Sequence, residues 1–107
     1  HRTERKFQAM KVDQIKIEQQ SSADSGAYLA SDANGAEAGK LTWTLRDGAR
    51  DAQHTIVPSH MRGHGIAARL VDALIEDARR EGFTIIPSCS YVAAQFERHP
   101  EWADLRA

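Results

Sequence analysis

The 107-residue chain has one cysteine, Cys89, so no internal disulfide can form. A disulfide-stapled secreted scaffold is thereby excluded, and a reducing, cytoplasmic compartment is expected. No apolar run approaches the ~20 residues that a membrane span needs. The first ten residues are polar and basic and lack the apolar core of a signal peptide. Neither sign of charge dominates: 14 basic residues stand against 15 acidic ones, for a net charge of −1. Bulk charge therefore draws the chain toward neither nucleic acid nor an anionic membrane, and neither partner is expected. Internal repeats, low-complexity tracts and interdomain linkers are also missing. Proline is scarce, with 3 residues, and each marks the end of an element rather than its interior.

What is present suits one globular domain. The length allows a single hydrophobic core and is too short for two. Hydrophobic residues make up 41% and charged residues 27%, within the ordinary range for such domains. Residues 1–10 read as disordered or tag-derived, and residues 11–107 as the folded domain.

The first half reads as a meander of strands. Val12, Ile15 and Ile17 give a weak strand signal among polar neighbours, followed by a turn over 21–26. Residues 27–30 form a short apolar strand, and the Asp32, Asn34 and Gly35 segment reads as a hairpin loop over 31–39. Leu41, Trp43 and Leu45 alternate with Lys40, Thr42 and Thr44, the period of a half-buried strand. Asp47-Gly48 is a hairpin turn signal. The next strand, 49–57, ends at Pro58, which cannot donate to a ladder.

The second half is punctuated by helices. Ile66, Leu70, Leu74 and Ala78 recur every four residues, flanked by Ala67, Val71 and Ile75. Asp72, Glu76, Asp77, Arg79 and Arg80 then form the solvated face of an amphipathic helix. Gly82 suits its left-handed stop. Residues 83–86 form a short strand ended by Pro87, and Ser88 or Ser90 would cap a second helix over 91–98. Pro100 breaks that helix, while Trp102 and Leu105 give the tail something to bury. A strand, a helix and a further strand in succession predict a crossover with a parallel pair. The predicted fold is thus α/β (α+β): a mixed, mostly antiparallel sheet with helices packed on it.

The segment that joins the meander to the long helix carries the most chemical information. In Arg62-Gly63-His64-Gly65-Ile66-Ala67 a glycine-rich turn opens a helix. The main-chain N–H groups from about Arg62 to Ala67 have no partner one turn back. They point outward at the positive end of the helix dipole, which suits a phosphate or pyrophosphate. The same turn would also serve a fold that binds nothing, as a tight connection needing positive φ. The Rossmann and Walker patterns are not met.

Four motifs in order resemble a small subfamily of the GNAT superfamily of acetyl-CoA-dependent N-acetyltransferases. They are His54-Thr55-Ile56-Val57-Pro58, the turn Arg62-Gly63-His64-Gly65-Ile66-Ala67, Pro87-Ser88-Cys89-Ser90-Tyr91 and His99-Pro100-Glu101-Trp102. The turn fits the superfamily's phosphate motif, read as (Gln/Arg)-x-x-Gly-x-(Gly/Ala), and the resemblance covers roughly the second half of the chain. It implies a shortened GNAT fold with acetyl-CoA as co-substrate, lying in a splay between parallel strands around Ile56-Val57 and Ile85-Ile86. The main chain of Ile56 and Val57 would meet the pantetheine arm. The turn residues Arg62, Gly63, His64, Gly65, Ile66 and Ala67 would hold the pyrophosphate.

Three residues are candidates for chemistry. Cys89, just before a predicted helix, would take the acetyl group or sit beside the thioester, because a helix N-terminus favours the thiolate; a small buried hydrophobe is the other reading. The resemblance implies Tyr91 as the acid for the leaving thiolate; a ring packed on the sheet is its other reading. His54 would act as the base for the acceptor amine, or be satisfied on its strand by hydrogen bonds. His60 and His64 are four apart but straddle the turn with no completing ligand, so no metal is expected. The resemblance implies acetyl transfer to an amine of a protein lysine or a small molecule. A CoA- or acyl-CoA-binding module without turnover, and an interaction domain that keeps the turn only for folding, are the rivals.

Overall fold

The computed structural model describes residues 14–107; Val12 and the expectation of a disordered or tag-derived 1–10 lie outside them. Four antiparallel strands come first: β1 (Lys16–Ser21), β2 (Ser25–Ser31), β3 (Glu37–Arg46) and β4 (Ala49–Ile56). A 3-10 turn at Ser59–Met61 leads to helix α1 (Ile66–Glu81). The two-residue strand β5 (Ile85–Ile86), helix α2 (Ser90–Arg98) and a 3-10 helix at Pro100–Leu105 complete the chain. The sheet order is β1-β2-β3-β4-β5, with β5 parallel to β4. The α/β architecture with a mixed, mostly antiparallel sheet is the one the sequence predicts.

The strands differ from expectation mainly at their ends. β1 runs on through Ser21, because Ser21 pairs with Gly26 and the turn tightens to Ser22–Asp24. β2 and β3 extend into the expected 31–39 loop. The Asp32 carboxylate shortens that loop by accepting the N–H groups of Asn34 and Ala36, both at 2.9 Å, an Asx-type turn. The Asp47-Gly48 hairpin has positive φ at both residues, 51° and 81°, as a type I′ turn requires.

Helix α1 lays Ile66, Leu70, Val71, Leu74, Ile75 and Ala78 on the sheet. They join Tyr28, Leu41, Trp43 and Ala52 in the core, with Val92, Phe96, Trp102 and Leu105 from the C-terminal part. Gly82 ends the helix in the left-handed region, its N–H on the Ala78 carbonyl at 2.8 Å. One charge of the predicted solvated face is misplaced: Asp77 is buried. The Tyr28 hydroxyl on β2 donates to it at 2.7 Å and Arg80 pairs with it, which offsets the cost of burying a carboxylate. Helix α2 has Cys89 itself at its N-cap, with no side-chain cap from Ser88 or Ser90. His99 stacks on Trp102 at 4.0 Å, and Phe96 meets the same indole edge-on at 5.6 Å.

Two irregularities in the sheet place the site. A bulge in β4 leaves Gln53 without a partner, since Trp43 faces Ala52 and Thr42 faces His54. Beyond it, His54 and Ile56 share a face with Thr42 and Lys40, whereas Thr55 shares one with buried Leu41. The second irregularity is the brevity of β5. It pairs with β4 only at Arg50↔Ile85 and Asp51↔Ile86. At that closed end the Arg50 guanidinium lies between the rings of Trp43 and Phe83. Past Asp51 the two strands part, and β4 continues to Ile56 without β5 beside it.

Candidate functional site

The glycine turn forms from a strand end, a 3-10 turn and a helix start. Pro58 leaves β4, and the buried Met61 anchors the 3-10 turn beneath it. Gly63 and Gly65 both take positive φ, 85° and 75°. Gly65 is the N-cap of α1 and offers no side chain to its helix. The first helical bond runs from the Arg69 N–H to the Gly65 carbonyl. The N–H groups of Ile66, Ala67 and Ala68 therefore precede any intrahelical partner. No acidic residue sits in this first turn, so the dipole's positive end is left uncompensated. A Cβ built on either glycine would meet nothing within 4 Å; the space in front of the turn is open.

A cleft of about 230 Å³ lies there, lined by Val57, Met61, Arg62, Gly63, Gly65, Ile66, Ala67, Ala68 and Tyr91. The tertiary structure thus brings Tyr91 of α2 to the glycine turn. Arg62 is engaged differently from expectation. Its N–H is taken by the Ser59 carbonyl at 3.3 Å, and its Nε donates to the Val57 carbonyl at 3.2 Å. The open main-chain donors consequently begin after Arg62, and one lone pair of the Val57 carbonyl is already used. Ile66 is 2% exposed as a residue, and its side chain packs in the core. His64 is half-buried beside the cleft residues without lining the cleft.

Cys89 stands where β4 and β5 diverge. Its N–H donates to the Ala52 carbonyl at 2.8 Å, one residue past the last β4–β5 pair. Its Sγ lies 3.5 Å from Thr55 Oγ1. Burial pushes the thiol up, but the Thr55 hydroxyl and the main-chain N–H groups of Val92 and Tyr91 outweigh it, so the thiol lies below its ordinary value. The Tyr91 phenol is displaced upward by burial, with Arg98 opposing and Asp72 reinforcing the shift. It stays protonated at neutral pH, as a proton donor must.

His54 and Ile56 point to the other face of the sheet, where both are exposed, Ile56 at 50%. The predicted residues thus fall into three places: the turn with Tyr91, Cys89 at the fork, and His54 with Ile56 across the sheet. Thr55 and Met61 are additions. Thr55 stood inside a quoted motif without a role, and Met61 was legible only as a lone apolar residue in a polar loop. Among the described residues no group of three or more His, Cys, Asp or Glu is placed to hold a metal. No described helix is long and apolar enough to cross a membrane.

The family model described as GCN5-related N-acetyl-transferase matches residues 27–105. The chain belongs to this GCN5-related N-acetyltransferase family. Its fold is similar to the solution structure of a GCN5-like candidate N-acetyltransferase from Staphylococcus aureus. The TM-score is 0.66 and the identity 24%, over 90% of this chain and 91% of that one. It is also similar to a GNAT family acetyltransferase from Elizabethkingia anophelis with acetyl-CoA bound. There the TM-score is 0.60 and the identity 14%, over 84% of this chain and 75% of that one. A ribosomal-protein-alanine N-acetyltransferase from Brucella melitensis superposes with TM-score 0.52 at 21% identity, over 80% of this chain and 66% of that one. As a GCN5-related N-acetyltransferase, the chain is assigned to the acyltransferases.

Proposed function

We propose that this GCN5-related N-acetyltransferase binds acetyl-CoA at the fork and transfers acetyl to an amine. The observation that carries the reading is the turn from Gly63 to Ala68. It combines two left-handed glycines, open space in front of them and helix-start N–H groups without intrahelical partners. These residues fit a pyrophosphate, which needs many directed donors and close approach to the main chain. Gly63, His64, Gly65, Ile66 and Ala67 would supply the donors, with the Arg62 guanidinium beside them. The pantetheine arm would follow Ile56 and Val57 toward the fork, where β4 has no neighbouring strand.

Acetyl transfer then needs an amine freed of its proton, a polarised thioester carbonyl and a proton for the departing thiolate. His54 is the candidate base. Its exposure on the opposite face would admit an acceptor from the side away from Cys89. Tyr91 is the candidate acid for the CoA sulfur. Cys89 is placed to sit beside the thioester or to receive the acetyl group. In the latter course its sulfur forms the new thioester as the bond to CoA breaks, and the amine then takes the acetyl and releases the thiol. The acceptor class is a protein lysine or a small amine, and the proposed location is the cytoplasm.

One observation favours a second reading, a CoA- or acyl-CoA-binding module without turnover. Ile56 and His54 are exposed, so the acceptor side offers little wall to hold a small amine. Calorimetric titration with acetyl-CoA, CoA and ATP separates the possibilities. Binding of acetyl-CoA and CoA but not ATP supports the cofactor assignment; no binding of either CoA form sinks it. Binding with no acetylation across a panel of lysine peptides, polyamines and small amines leaves only the module.

A further inference from the structure

Thr55 has a place in this site that its sequence neighbours do not reveal. The bulge at Gln53 shifts β4 by one residue against β3. Without it Thr55 would lie opposite Lys40, on the exposed face; with it Thr55 lies opposite buried Leu41. That turn of the strand brings Oγ1 to 3.5 Å from the Cys89 sulfur. The main chain that carries the sulfur is fixed by the 2.8 Å bond from the Cys89 N–H to the Ala52 carbonyl. Both anchors belong to β4, on either side of the bulge.

We propose that Thr55 is a positioning residue of the acetyl-transfer site, whose hydroxyl holds the Cys89 sulfur at the fork between β4 and β5. The hydroxyl serves both protonation states. It accepts the S–H of the thiol and donates its own O–H to the thiolate. The main-chain N–H groups of Tyr91 and Val92, in the first turn of α2, also favour the thiolate. The titratable neighbours are Tyr91, two residues along α2, and His54, adjacent on β4 but turned to the opposite face. The bulge is then the device that separates two roles on consecutive residues, with His54 toward the acceptor side and Thr55 toward the sulfur. This inference rests on the reading that Cys89 works at the transfer site.

The chain's one cysteine makes the test direct. Iodoacetamide labelling, followed by intact mass over a range of pH, reports thiolate formation at Cys89 without any CoA. Thr55→Val should move the labelling midpoint upward by about one pH unit and slow labelling at neutral pH about tenfold. Thr55→Ser, which keeps the hydroxyl, should restore the wild-type profile. A merely structural threonine would show the reverse pattern of rescue, because valine keeps the shape and serine does not. If Thr55→Val fails to fold, Thr55→Ala with Thr55→Ser gives the same comparison. Superimposable profiles for wild type and the hydroxyl-free variant overturn the inference, as does a serine variant that behaves like valine. Acetyl-CoA titration of the same proteins keeps the two ideas apart. A shifted profile without acetyl-CoA binding overturns the functional reading, and an unshifted profile with intact binding overturns only the role of Thr55.

Discussion

The Tyr28 hydroxyl donates to the Asp77 carboxylate across 2.7 Å and 49 residues of chain. It ties β2 to the helix that begins at the glycine turn. The bond lies in the core, so its loss leaves a buried acceptor short of a donor. Tyr28→Phe should destabilise the fold by about 1.5–3 kcal/mol, the range for hydrogen bonds to charged groups, as measured by urea denaturation. The pH dependence follows from the same bond. Burial, then Asp77, raise the phenol well above its ordinary value of 10.0. A folded-state value above the unfolded one stabilises fully below pH 10 and is lost as pH rises toward the folded value. Wild type should lose stability above about pH 10 more steeply than Tyr28→Phe.

Gly65 supplies both the backbone of the turn and the room in front of it. Asparagine tolerates a left-handed φ better than other residues, yet its side chain would enter the open space. Gly65→Asn should retain the fold, with stability within about 1 kcal/mol. It should lose tenfold or more in acetyl-CoA affinity, about 1.4 kcal/mol. Calorimetry and thermal melts on the same sample read the two effects separately.

Tyr91 tests the proposed proton donor. Tyr91→Phe keeps the ring in the cleft and removes the phenol. The rate of acetyl transfer should fall by about 10²–10⁴ while the Kd for acetyl-CoA holds. Because burial displaces this phenol upward, wild-type activity should not decline through loss of this proton until the pH exceeds the ordinary tyrosine value. A variant with unchanged kcat would remove Tyr91 from the mechanism.

Gly26 should matter to folding alone. A Cβ there would stand 2.5 Å from the Trp43 ring and 2.7 Å from the Gln20 carbonyl. Gly26→Ala must push the indole or part β1 from β2, at a cost of about 1–3 kcal/mol. The chevron or equilibrium midpoint should shift accordingly, with acetyl-CoA affinity per folded molecule unaltered.

How far these features were legible depends on how local their causes are. Helix α1 begins at Ile66 and stops before Gly82 as its four-residue spacing predicts, because neighbours in the chain carry the pattern. The Asp47-Gly48 turn is likewise set by two residues that accept positive φ. The loop after Pro58 shows the limit. Its glycines were legible, but the burial of Met61 was not, since one apolar residue in a polar stretch has no period. Asp77 read as solvated because its partner lies on another element. The cap of α2 was assigned to serines, whereas Cys89 takes that position, its carbonyl accepting the Ala93 N–H.

The sequence alone determined the order of elements, the helix opened by a glycine turn and the family motifs around it. Each rests on residues within a few positions of one another. Tertiary structure decided which of these residues meet. Thr55 reaches Cys89 across 34 residues only because an extra residue in β4 reverses the facing of the strand beyond it. Tyr91 meets the glycine turn only because α2 starts where β4 and β5 part. Pairing at such separations depends on register and packing throughout the sheet, and no local pattern encodes it.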